Sequence, residues 1–391
     1  MLDIRDNPIS GCQNGIGILV GRASFATSGT ATIKNNEVAS YQKGGIVVSN
    51  TGSDATIEDN IVTGAGAVTF IAQNGIQVSA GATGTINRNT INGHSYTPFT
   101  YVSTGMLLYG SNANTDENVL NENQVGIYHI NGSGTHQKNS VSATAVGTGS
   151  PGFWGMVVDP GDVLRTTPSP FEDGGSSVSL GKGGIGSTLA ATYTYLLDQN
   201  VVNSDGSAGG VGIEADALGT DVVNFTATTN TVSNWEYGIY LYKDAGATLN
   251  ANIIDCNQIF GNTAYGLYNS TGVDANAVGN WWGAGNGPSG NGPGSGDAVS
   301  ENVTFAPWGT DASCGGSLSH NFVFLADYVS IERSKQIPSQ GDIHSNGKID
   351  FLRGDPTVFE GNLTAVGKIT IGKENTIDGY AHSAGIVSVH P

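Results

Sequence analysis

The chain has 391 residues, 59 of them glycine, with 38% hydrophobic and 12% charged residues; 33 acidic against 15 basic groups leave a net charge of −18. Such a charge repels phosphate backbones, which argues against nucleic acid as a partner, and no apolar run is long enough for a helical membrane span. The glycine-rich composition is periodic, which separates it from a disordered chain.

Residues 2–9 already read as a strand unit and not as a signal peptide. No polar cap precedes them, as a stacked repeat would need, so the expectation is a segment of a longer protein or a reading frame taken to start too late. Cys12, Cys256 and Cys314 form no CxxC pair and have no histidine pair at zinc spacing. They indicate neither a disulfide framework nor a metal cluster.

From there a repeat takes over. An asparagine followed two places later by a large apolar residue recurs at Asn7, Asn36, Asn60, Asn89, Asn118, Asn139, Asn200, Asn230, Asn257 and Asn280. A glycine followed by an aliphatic residue or methionine alternates with it, at Gly17, Gly45, Gly75, Gly105, Gly126, Gly155, Gly212, Gly238 and Gly266. Each unit holds two short strand-like runs and no helical pattern, as in residues 56–78, TIEDNIVTGAGAVTFIAQNGIQV. Units of this kind cannot bury a face alone and must stack. The fold class expected is all-β, a parallel solenoid of about ten coils at roughly 4.8 Å per coil. Asparagine is poor inside a strand but suits a bend, so the series is expected to form an inward ladder at a corner; asparagine on a solvated turn is the alternative.

Two turns are long and aromatic, 92–104 with His94, Tyr96, Phe99 and Tyr101, and 142–154 with Phe153 and Trp154. Both should overhang one face. Residues 160–190 interrupt the rhythm and form an insertion, either functional or disordered. Its GKGGIG run lacks the spacing and ending of a phosphate-binding loop.

Residues 279–308, GNWWGAGNGPSGNGPGSGDAVSENVTFAPW, resemble the closing element of secreted right-handed parallel β-helix repeat proteins, relatives of the pectate-lyase-like superfamily. The resemblance covers residues 1–310, implies a right hand for the coil, and implies a secreted or cell-surface location. It does not imply one activity, because relatives include lyases, hydrolases, epimerases and non-catalytic surface proteins. After Ser317 the alternation shortens, and residues 366–379, VGKITIGKENTIDG, are similar to the short-coil solenoids of bactofilin-like proteins. Residues 318–391 are therefore expected to form a smaller, incomplete β segment.

Side chains alternate along a strand. If the aliphatic residue after each glycine points inward, the inward set is apolar apart from His129, which reads as a hydrogen-bonded core histidine. The outward set is then rich in tyrosine and carboxylate: Tyr109, Tyr128, Asp159, Glu214, Asp216 and Tyr240, with His94, Tyr96 and Trp154 on the overhanging turns. Tyrosine rings can stack on sugars while their hydroxyls hydrogen-bond. Asp159, Glu214 and Asp216 are the candidate acids and bases of a lyase, hydrolase or epimerase. No cofactor is expected, with Ca²⁺ the one candidate ion. Family motifs mostly fail: of the polygalacturonase set only Asn114-Thr115-Asp116 matches, and Asp159-Pro160 is followed by Gly161 where alginate epimerases carry histidine. The reading is a surface protein that binds polysaccharide or cell-surface glycan, with an enzyme on the same face and an inert adhesin stalk as alternatives.

Overall fold

The computed structural model describes residues 3–6, 10–97, 101–143, 153–160, 190–206, 209–312, 322–331, 342–351, 357–360, 363–365, 367–373, 375–378, 381–383 and 386–389. Backbone contacts divide the chain into two units, Met1–Cys314 and Gly315–Pro391.

The first unit is a parallel solenoid with three long sheets. The first sheet has eleven strands, among them Thr104–Tyr109, Val125–Ile130, Phe153–Asp159, Gly210–Ala217, Tyr237–Lys243 and Tyr265–Asn269. The second and third have eight strands each, running from Thr30–Lys34 to Thr248–Asp255 and from Glu37–Val38 to Gln258–Phe260. Each strand pairs in parallel with its counterpart one coil away, so Ile46, Ile76, Met106, Ile127, Met156, Ile213 and Ile239 form one inward column.

Most coils hold three strands where the sequence suggests two. The run around Asn60 is two strands, Asp54–Glu58 and Ile61–Val68, bent between them. The bend is made by a residue in the left-handed region, φ 55° at Asp59 and 53° at Arg88, placed just before each inward asparagine. Glycine takes this place before Asn280, at Gly279 with φ 74°, but ordinary residues take it at the earlier corners, which are therefore silent in composition.

The asparagines form the expected ladder. Asn89 Nδ2 donates to Asn118 Oδ1 at 3.0 Å, Asn118 Nδ2 to Asn139 Oδ1 at 2.9 Å, and Asn139 Nδ2 to Asn200 Oδ1 at 3.0 Å. Each Oδ1 also accepts the backbone N–H of the previous ladder residue, as Asn118 does from Asn89 at 2.9 Å. The ladder runs from Asn36 to Asn280; Asn7 lies outside the described residues. Buried corner amides are thus satisfied from coil to coil, as burial demands.

The glycine series has a different cause. A Cβ at Gly155 would lie 2.5 Å from the Gly212 carbonyl oxygen and inside the Val202 side chain; Gly126 meets Gly155 and Val141 in the same way. Only glycine lets the first sheet close against the third at this seam.

The third-sheet strands Ile61–Val68 and Thr90–Tyr96 are longer than their neighbours and pair through Gly66↔His94 and Val68↔Tyr96. Part of what the sequence suggests is an overhanging turn is therefore sheet. Most of the 160–190 insertion, residues 161–189, lies outside the described residues. The coil resumes with Thr192–Asp198, which pairs with Gly134–Gln137.

The second unit is also built of parallel strands. Ile343 pairs with Leu363, and Ile349 with Ile369. Ile343, Ile349, Leu363, Ala365, Ile369 and Ile371 form its buried core. Among the described residues no helix is long and apolar enough to cross a membrane.

Candidate functional site

The first sheet carries the outward residues. Leu107, Tyr128, Val157, Glu214, Tyr240 and Tyr268 stand in one column by register, one position along from the inward column. None of them belongs to the main core, whereas Val211 and Tyr240 form a separate buried cluster packed by Trp154, Tyr237, Tyr242 and Tyr268. The period-2 projection therefore places Tyr128, Glu214 and Tyr240 on the outer side, and Asp216 lies in the adjoining column beside Tyr242. Tyr109 and Asp159 both pair with Ile130, one coil to either side.

Exposure is where the expectation fails. Asp159, Glu214, Asp216 and Tyr240 are buried, with Asp216 at 0% and Glu214 at 1%. Alternation tells which side of a sheet a residue takes, not whether that side is covered. Glu214 accepts a hydrogen bond from Trp154 Nε1 at 2.6 Å, and Asp159 accepts one from the Tyr128 hydroxyl at 3.2 Å. These carboxylates are held, as buried charge must be.

His94 and Tyr96 require a larger correction, because neither overhangs the face. His94 is fully buried: its Nε2 meets the Tyr41 hydroxyl, and its Nδ1 lies 2.7 Å from Asn123 Oδ1. Burial pushes its pKa down to about 4. Tyr96 is buried too, its hydroxyl donating to the Thr69 carbonyl at 3.0 Å and its ring meeting Tyr101 edge-on. Both sit on the paired extension of the third sheet, which turns alternate residues inward.

His129 is a satisfied core histidine. Its Nε2 donates to the Ser111 carbonyl at 3.0 Å, which leaves Nδ1 to accept from His136 Nε2 at 3.0 Å. His136 Nδ1 then accepts the Thr115 hydroxyl at 3.0 Å, and Thr115 Oγ1 accepts from Asn139. One set of neutral tautomers satisfies the whole chain.

The aromatic part of the face extends further than the sequence suggests. Tyr240 stacks on Tyr268 with centroids 5.4 Å apart and planes at 14°, and Tyr237 stacks on Tyr265 at 5.9 Å and 18°. Burial together with Glu214 and Asp216 pushes the Tyr240 hydroxyl up to about 12. The signal for Tyr265 was present, since Tyr-Gly-Ile-Tyr at 237–240 returns as Tyr-Gly-Leu-Tyr at 265–268. Beyond Tyr268 the face opens into a cleft of about 450 Å³ that includes Tyr265, Asn291, Glu301 and Asn302. Cys256 is disulfide-bonded, contrary to the reading of the cysteine spacing, and Cys12 is a free, exposed thiol. Among the described residues no three His, Cys, Asp or Glu side chains are grouped as a metal would need.

Residues 2–153 match the family described as the right handed beta helix region. The first unit is a right-handed parallel β-helix. The match stops at the strand that carries Trp154, so the tyrosine part of this β-helix lies beyond it. No curated protein and no solved structure gave a match.

Proposed function

We propose that this is a secreted or cell-surface β-helix protein whose outward tyrosine and acidic face binds polysaccharide. The observation that carries the reading is the pair of parallel tyrosine stacks, 240 on 268 and 237 on 265, set outside the main core beside Trp154. Partly buried tyrosines with an apolar body and a polar tip suit a ligand that is itself apolar on the faces of its rings and hydroxylated at their edges. A disulfide at Cys256 favours an oxidising compartment.

Binding is favoured over turnover because the carboxylates of Glu214 and Asp159 are engaged by the protein. Glu214 is held by Trp154 and Asp159 by Tyr128, and no motif of a uronate lyase, hydrolase or epimerase is complete. Electrophoresis through gels containing neutral or acidic polysaccharides tests the reading, with product analysis on the same polymers. Retardation by at least one polymer, lost in Tyr237→Ala and without products, is expected. New reducing ends or unsaturated products would make the protein an enzyme, and no retardation by any polymer would leave an inert stalk.

A further inference from the structure

We infer that the cleft beyond Tyr268 is the specificity-determining subsite of this face, and that it selects a glycan without acidic groups. This rests on the proposal of polysaccharide binding and narrows it to a place and a class of ligand.

The polar groups of the cleft fall into two sets. One set builds it: Asn269 Nδ2 donates to the carbonyls of Val273 and Asn302 at 2.8 and 2.6 Å, and Ser300 Oγ accepts from the Asn269 N–H at 2.7 Å. The other set has no hydrogen-bond partner among the described residues: the hydroxyls of Tyr265 and Tyr268, the side chains of Asn291 and Asn302, and the Glu301 carboxylate. Asn291, Glu301 and Asn302 are exposed, and the two tyrosines are half-buried. Tyr265 and Tyr268 meet at 63° with centroids 5.0 Å apart, which makes a corner of two aromatic walls. Gly272 leaves open space where a side chain would stand. A concave site with aromatic walls and a few converging unpaired polar groups is the usual form of a ligand pocket.

Charge decides the class. No lysine or arginine lines the cleft, and Glu301 does. Glu214, Asp216 and Glu236 lie close enough to the adjoining tyrosines to raise the pKa of Tyr240 or Tyr237. Lys243, beside Tyr242, is the cation of this edge, and its Nζ lies 3.5 Å from the Asp244 carbonyl. With a whole-chain charge of −18 and Glu301 as the charged residue of the lining, a polyuronate would bring like charge to the cleft. Neutral sugars meet hydroxyls, amides, ring faces and a carboxylate that can accept their hydroxyls without charge repulsion.

The test compares a neutral β-glucan with polygalacturonate at low and at physiological salt, using the full chain and its Tyr268→Ala, Glu301→Gln and Glu301→Lys variants. The β-glucan should bind at least about tenfold more tightly at low salt, with the gap narrowing as salt rises. Tyr268→Ala should weaken β-glucan binding about tenfold. Glu301→Lys should gain polygalacturonate binding, and Glu301→Gln should fall between it and the parent. Thermal melting checks that each variant is folded. Polygalacturonate binding as well as β-glucan, or β-glucan binding unmoved by every variant, would overturn the subsite while leaving a glycan-binding face elsewhere. No binding to either polymer would overturn this inference, and silence across a wider glycan panel would overturn the parent reading as well.

Discussion

Lowering the pH from 7 to 5 should destabilise the β-helix, because its core holds neutral histidines. His94 and His129 have folded-state pKa values near 4 against 6.5 for an exposed histidine, and burial drives both shifts. His136 is lowered in the same direction by burial and by His129. The groups they face are neutral: Tyr41 and Asn123 around His94, and Ser111, Tyr195 and the second imidazole around His129. A lowered pKa means that the unfolded chain takes up the proton first, so stability is present above pH 6.5 and is lost as pH falls towards 4. At pH 5 an unfolded histidine is almost wholly protonated and these two are about nine-tenths neutral, which costs about 2 kcal/mol each. The pair loses about 4 kcal/mol, a large share of the 5–15 kcal/mol typical of a folded domain. Lys43, pushed down to about 8 by burial, stays charged through this window and adds nothing. Urea unfolding at pH 7, 6 and 5 reads the effect. The midpoint should fall steeply, and His94→Gln should remove about 2 kcal/mol of that fall whatever its own cost. Equal midpoints at pH 7 and 5 would refute the account of a neutral histidine core.

Two substitutions test the ladders. Asn118→Ala removes the acceptor of the Asn89 N–H and amide and the donor to Ile86, Asp116 and Asn139, leaving several buried groups unpaired; it should cost about 4 kcal/mol at 1–3 kcal/mol per orphaned group, read as a lower urea midpoint. Gly155→Ala drives a methyl group against the Gly212 carbonyl and Val202, where backbone must move, and should cost about 3 kcal/mol or more in thermal and urea unfolding.

Much of this molecule was legible because each coil repeats one obligatory residue at each of two places. Asparagine satisfies the corner and glycine permits the seam, so both series could be followed from Asn36 to Asn280 and from Gly17 to Gly266. The third strand of the coil was hidden because its corner is turned by ordinary residues such as Arg88, Glu117 and Lys138 in the left-handed region. His94 and Tyr96 were misplaced because a segment without an apolar period reads as a loop, although here it pairs with residues 66–68. The outward column was readable from alternation, whereas the cover that buries Glu214 and Asp216 leaves no local trace in the strand. The cleft beyond Tyr268 was missed because its residues come from three separate stretches, 265–272, 290–291 and 299–302.

The most direct measurement of the central claim is hydroxyl-radical footprinting with a bound polysaccharide, read by mass spectrometry. Tyr237, Tyr242, Tyr265 and Tyr268 present half-buried rings on the outer face, so their oxidation rates can fall when a chain lies across them. Protection confined to these tyrosines and Trp154 is the result this account predicts. Binding that leaves them unprotected, with protection on the polar outer side of the second sheet around Thr85 and Asn114, would contradict it.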